Sequence, residues 1–341
     1  MSSGRRGPLS VLAAMALALT IPGVAQAAAP ADSGAKIVKQ RWGKGYDDIT
    51  IATRAIPGPQ PKARVFVPKG WSRTAKRTWP TLYVYGGGDD GHADWDRLTD
   101  LEAYAARWQV LVVVPDSGPG GGYTDWYRGG PQWETFHTRE LPQLIERNFR
   151  GSRVRGAMGI SSGGSGAVGY AARHPGLFRY VASYSGIVHS TMAGVPAILL
   201  LSDSSRQGSA NAFAKWGDPT ADRANWRAHD PYVNAAKLKG TGVYLSAGTT
   251  GLPGTLDVGW ADFVTSVGGD VAKAMEYRGL AFISERTVGA TNTAMAARLR
   301  ALGIRATVHL YGDGLHQWKY WIREFHTAWP LIMKGLAAQR S

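Results

Sequence analysis

Gly159-Ile160-Ser161-Ser162-Gly163 decides how the rest of this chain is read. A short apolar segment, 154–160, leads into it. An Ala/Gly-rich segment able to form a helix, 166–173, follows. A G-x-S-x-G at a strand-to-helix junction is the nucleophile elbow of an α/β-hydrolase. The turn forces its serine into a strained backbone conformation, and larger side chains two residues away would collide with the strand and helix. The serine is lifted to the carboxyl edge of a sheet above a helix amino terminus, where backbone N–H groups stabilise developing negative charge.

Eight strand-like segments rich in β-branched and aromatic residues surround this elbow: 49–54, 63–67, 81–85, 110–114, 154–160, 180–185, 242–246 and 305–311. The first two are close enough for an antiparallel pair. The later ones are separated by room for crossover helices, expected at 98–107, 135–149, 166–174, 291–302 and 320–336. An α/β-hydrolase fold is therefore expected, with a mostly parallel eight-stranded sheet and helices on both faces. The stretch 187–241, between the sixth and seventh segments, reads as an excursion over the active-site edge. Without repeats or a clear linker, residues 48–338 read as a single domain, preceded by a flexible lead-in at 28–47.

In this fold the catalytic residues come in the order Ser, acid, His, each in a loop after a strand. Ser161 follows the fifth segment and is the expected nucleophile. Of the chain's eight histidines, only His316 stands in the loop after the eighth, and it is the expected general base. The acid should follow the seventh. Asp257 is the first carboxylate there and is preferred, with Asp262 and the more distant Glu285 as alternatives. The oxyanion hole is expected from the N–H of Ser162 and from the loop after the third segment, Gly86-Gly87-Gly88-Asp89-Asp90, with Gly88 as donor. No Lys-Ser/Thr pair follows that loop, so it is not a phosphate loop. The acids Asp89, Asp90, Asp94 and Asp96 lack EF-hand spacing. No metal or cofactor is expected.

The leader and the bulk properties set the compartment. Arg5 and Arg6 precede a short apolar run at 9–19, a Thr20-Ile21-Pro22-Gly23 break and Ala25-Gln26-Ala27, the pattern of a secretory signal peptide over 1–27. The run is too short to span a bilayer, so no transmembrane segment is expected. The chain has 341 residues and no cysteine, which excludes thiol nucleophiles and thiolate metal sites. Its formal charge is +14. The basic residues are scattered, which argues against a nucleic-acid surface and for attraction to an anionic cell envelope. A secreted or envelope-associated monomer is expected.

Further motifs carry a resemblance. Tyr123-Thr124-Asp125-Trp126-Tyr127, Trp133-Glu134-Thr135-Phe136, Glu140-Leu141-Pro142, Ala182-Ser183-Tyr184-Ser185-Gly186, Asp230-Pro231, and His316-Gln317-Trp318 followed by Tyr320-Trp321 resemble, in order, the antigen 85 group of mycolyltransferases within the esterase D-like family. The resemblance runs from about residue 63 to about residue 336. It implies an exported serine esterase or acyltransferase acting on acyl esters of lipid or glycolipid type, with water or a sugar or alcohol hydroxyl as acceptor. It gives Ser161 and His316 the catalytic roles and places Trp318 at the mouth of the site; Gln317 and, as a polar residue of the loop after the third segment, Asp89 are expected to contact substrate. Family members carry a Glu soon after the seventh strand, where this chain reads Thr249-Thr250-Gly251-Leu252-Pro253, so Asp257 would substitute. Trehalose-handling members carry Asp-Gly-Leu-Arg where Gly86-Gly87-Gly88-Asp89 stands. The rival class is a non-catalytic protein on a hydrolase scaffold, binding envelope glycan or matrix.

Overall fold

Strand periodicity fixes the middle of the molecule. The computed structural model describes Met1, residues 28–88 and residues 90–341. The expected leader, beyond Met1, and Asp89 lie outside the described residues. The strands are β1 (Lys36–Trp42), β2 (Tyr46–Ala52), β3 (Lys62–Phe66), β4 (Trp79–Tyr85), β5 (Leu111–Pro115), β6 (Gly151–Ile160), β7 (Tyr180–Tyr184), β8 (Gly242–Ala247) and β9 (Ala306–Leu310). They form one sheet in the order β1-β2-β3-β5-β4-β6-β7-β8-β9. The β1–β2, β2–β3 and β3–β5 pairs are antiparallel, and the other pairs are parallel. This is the α/β-hydrolase architecture expected from the sequence.

The helices are α1 (Asp94–Leu98), α2 (Leu101–Ala105), α3 (Trp133–Thr135), α4 (Leu141–Phe149), α5 (Ser162–Arg173), α6 (Val195–Gln207), α7 (Ser209–Trp216), α8 (Arg223–His229), α9 (Trp260–Ser266), α10 (Val271–Ala301) and α11 (Trp318–Gly335). Successive strand side chains point to opposite faces, and the two cores divide along that alternation. Tyr83, Tyr85, Ala157, Val181, Val243 and Leu245 face α4, α5 and the second half of α10. Leu82, Val84, Met158, Ile160, Ala182 and Tyr244 face α1, α2 and α11. The inner strand β5 is buried along its whole length, as a strand covered on both faces must be.

Two expectations need correction. The sheet has nine strands, because β1 lies inside the segment expected to be a flexible lead-in. Its polar sequence KIVKQRW buries only Ile37, so it carries almost no apolar alternation, and its place comes from backbone pairing with β2. The second difference is α10. Only its last third, 291–302, was legible as helix, whereas it runs for 31 residues. Gly279 and Gly289 interrupt its propensity, at about 1 kcal/mol each relative to Ala.

Candidate active site

Backbone crowding builds the turn between β6 and α5. A Cβ on Gly159 would lie 2.4 Å from the Gly163 carbonyl carbon, and one on Gly163 would lie 2.4 Å from the Gly86 oxygen. Strand, helix and neighbouring loop therefore touch through backbone that only glycine permits. Ser161 sits at the tip with φ 50 and ψ −124, a conformation costly for a residue with a Cβ. Its N–H donates to Tyr184 O at 2.9 Å, and its carbonyl accepts from Ser165 N at 3.1 Å. Neighbouring strand and helix thus hold the turn against relaxation.

His316 lies between β9 and α11, and its Nε2 is 2.9 Å from Ser161 Oγ. The other ring nitrogen, Nδ1, is 2.7 Å from Glu285 Oε2. Trp321 packs edge-on against the imidazole, with ring centroids 4.9 Å apart. A carboxylate on Nδ1 fixes the tautomer that leaves Nε2 able to take a proton.

The carboxylate is Glu285, and this corrects the preference for Asp257. Asp257 Oδ2 accepts from Gly254 N at 2.7 Å and from the Tyr320 hydroxyl at 2.8 Å, while Oδ1 accepts from Gln317 Nε2. It braces its own loop against the start of α11 and does not meet His316. Burial, with Asp257 beside it, pushes the Tyr320 phenol up to about 12. Asp262 is exposed on α9.

Glu285 instead rides in the middle of α10 and is fully buried. Its Oε1 accepts from Gly248 N at 2.7 Å, Ser185 Oγ at 2.8 Å and the Tyr311 hydroxyl at 3.1 Å. Burial and the adjacent Glu285 carboxylate raise the Tyr311 phenol far above its usual range, so it stays a donor. Gly248 does follow β8, so the loop in which the acid was sought supplies its backbone support instead. Helix and loop meet because of Gly289, where a Cβ would come within 2.3 Å of Gly248 O.

The loop after β4 lies against the nucleophile: a Cβ on Gly87 would stand 3.2 Å from Ser161 Cβ. Gly87 N donates to Asp90 Oδ2 at 2.8 Å, and the Tyr123 hydroxyl donates to Gly86 O at 2.7 Å. Gly88 follows with φ +40. Ser162 opens α5, and its side chain abuts Gly121, whose Cβ would overlap Ser162 Oγ at 2.1 Å. The excursion reaches this edge through α6, where Arg206 Nη1 lies 3.0 Å from the Cβ position of Gly88.

Trp318, expected at the mouth of the site, is half-buried against Trp95 and Trp321 at centroid distances of 5.4 and 5.5 Å. The indole touching His316 is that of Trp321, which sequence reasoning missed. Gln317 is engaged with Asp257. Among the described residues no group of three His, Cys, Asp or Glu side chains is placed to hold a metal ion. Within the same residues no helix is long and apolar enough to cross a membrane.

A strained serine, a histidine bonded to it, a buried carboxylate behind the histidine and a glycine loop alongside can carry out acyl transfer. Comparisons with known proteins agree. The family model described as putative esterase matches residues 55–332. The diacylglycerol acyltransferase/mycolyltransferase Ag85A of Mycobacterium leprae is 30% identical over 273 residues, 76% of each chain. Esterase Rv1288 of Mycobacterium tuberculosis is 31% identical over 220 residues, 62% of this chain and 47% of that protein. Among solved structures, MPT51 of Mycobacterium tuberculosis superposes with a TM-score of 0.62 at 21% identity, covering 86% of this chain and 100% of that one.

Proposed function

Because this chain belongs to the putative esterase family and is a serine ester hydrolase or acyltransferase, we propose that Ser161, His316 and Glu285 are its catalytic residues and that it works through an acyl-enzyme. His316 Nε2 removes the Ser161 proton as Oγ attacks the ester carbonyl. Glu285 stabilises the imidazolium that forms. The tetrahedral oxyanion takes hydrogen bonds from Ser162 N–H and Gly88 N–H, each worth about 3 to 4 kcal/mol at the transition state. Collapse expels the alcohol, which takes the proton from His316, and leaves the acyl group on Ser161. Water or a sugar or alcohol hydroxyl then attacks, with His316 again the base.

One observation carries this reading: the unbroken chain of hydrogen bonds from Ser161 through His316 to Glu285, at 2.9 and 2.7 Å. Acyl esters of lipid or glycolipid type are the proposed substrates. The name of the Mycobacterium leprae relative, a diacylglycerol acyltransferase/mycolyltransferase, supports this. Export as a monomer, with residues 1–27 removed, is part of the same reading.

Ser161→Ala tests it. Loss of both p-nitrophenyl ester turnover and fluorophosphonate labelling is expected. Turnover retained by a clean preparation of the variant would reject the assignment. Offering trehalose, glucose or diacylglycerol with an acyl donor separates the two outcomes of the acyl-enzyme, because a transferase yields acylated acceptor beside free acid.

A further inference from the structure

The edge of the sheet farthest from β9 is basic. Residues 36–46 and 67–78 contain no acid. The first segment exposes Lys36, Lys39, Arg41 and Lys44, and the second exposes Lys69, Arg73, Lys76 and Arg77. The two segments are joined: Arg73 Nη2 donates to Gln40 Oε1 at 3.3 Å, and the Trp42 and Trp71 rings pack at 5.5 Å. The nearest acids are engaged. Asp47 is fully buried and accepts from Gln40 Nε2, while Asp48 is paired with Arg64. Trp42 is 48% exposed and shares its face of β1 with Gln40, which Arg73 holds, whereas Lys36, Lys39 and Arg41 pair on the opposite face.

Lysines on an edge strand discourage sheet-to-sheet association, and that accounts for Lys36 and Lys39. It does not account for four more cations on a neighbouring loop. Nor does it account for a half-exposed indole, which would promote the association that the lysines oppose. An indole face beside the cations of that loop suits a polymer that offers both apolar ring faces and negative charge.

We propose that Trp42 and the loop 67–78 form a binding surface for an anionic polysaccharide, with Trp42 stacking on a sugar ring and the exposed cations of the loop pairing with its carboxylate, sulfate or phosphate groups. The surface is remote from the chemistry. Five strand spacings separate β1 from β6 in the sheet order, about 24 Å at the usual interstrand distance. The polymer would hold the protein in place while leaving the site after β6 open.

Binding of the full chain to fluorescent dextran sulfate, followed by anisotropy at several salt concentrations, tests this. Saturable binding that weakens steeply with salt is expected. Changing Lys69, Arg73, Lys76 and Arg77 together to Gln should weaken it about tenfold or more at low salt. Trp42→Ala should weaken it about fivefold while leaving binding to polyphosphate unchanged. A control with Lys237, Lys239, Arg300 and Arg305 changed to Gln, equal in charge but outside the surface, should bind like the parent. Unchanged p-nitrophenyl ester turnover in each variant checks that it is folded. Equal weakening by the control would overturn the proposal, because net charge would then be the whole effect. So would tighter binding to phosphatidylglycerol vesicles than to dextran sulfate, or a Trp42→Ala loss that polyphosphate shares.

Discussion

Glu285→Gln is the sharpest perturbation available, because it keeps the shape of the side chain and removes only its charge. Glu285 Oε1 accepts three hydrogen bonds, and one donor, the backbone N–H of Gly248, cannot reverse its role. The amide oxygen of the glutamine must therefore take the Oε1 place, which turns its NH2 toward His316 Nδ1. That nitrogen then has to accept, so the ring proton moves to Nε2 and faces Ser161. The base is held in the wrong tautomer, and the imidazolium loses its counter-charge. Replacing the acid in this way costs about 10³- to 10⁴-fold in kcat, or about 4 to 5.5 kcal/mol. Steady-state hydrolysis of p-nitrophenyl butyrate, with near- and far-UV circular dichroism to confirm folding, measures it. Asp257→Asn, run in parallel, should change kcat by no more than about threefold, since it touches no member of the hydrogen-bonded chain. A Glu285→Gln enzyme within tenfold of the parent, or an Asp257→Asn enzyme as impaired as the Gln variant, would refute the reasoning.

Gly163→Ala should cost at least about 3 kcal/mol, because the new Cβ falls 2.4 and 2.5 Å from the backbone oxygens of Gly86 and Tyr85; a urea midpoint equal to the parent's would contradict the crowding argument. His137 is wholly buried, with Nε2 3.1 Å from Asp116 O and Nδ1 3.1 Å from the Tyr170 hydroxyl, and burial lowers its pKa to about 4. Its folded pKa is below the unfolded value, so its contribution is complete above about pH 6.5 and is lost as pH falls toward 4, about 3 kcal/mol in all. Denaturant melts across that window should show the decline, and His137→Gln should flatten it. Glu134 adds a second acid-side loss. Burial opposes its ionisation, but His174 and Arg173 win and hold it at about 2, so its contribution is lost between about pH 4.5 and 2.

What could be read from sequence divides along a physical line. Ser161 and His316 stand in turns that directly follow strands, so counting strands places them. The elbow announces itself because Gly159 and Gly163 are demanded by backbone contact, and such demands leave a fixed pattern. Glu285 escapes the same count. A long intervening segment carries the chain away from β8 before α10 returns it, and a glutamate inside a helix resembles any solvated one until the packing of Gly289 is known. β1 escapes for the opposite reason: its sequence lacks the apolar alternation that identifies a strand, and only pairing with β2 makes it one. Trp318 and Trp321 are three residues apart on one helix, near neighbours on its surface. Sequence alone does not say which indole reaches the imidazole.

The placement of the acid on α10 separates two jobs that a loop would have to share. The second half of that helix is moored to the body of the protein: Asn292 donates to Gly186 O, Met295 and Leu299 lie in the core, and Gly289 rests on Gly248. The glutamate's coordinates are thereby inherited from the sheet, not from the stretch that precedes it. Residues 258–270, beyond Leu252 and Asp257, which hold Gly314 and Gln317 beside the imidazole, can consequently be lengthened, shortened or rewritten to suit a different guest molecule without recalibrating the proton-handling machinery. A laboratory seeking altered selectivity has, in that stretch, a part that can be exchanged on its own.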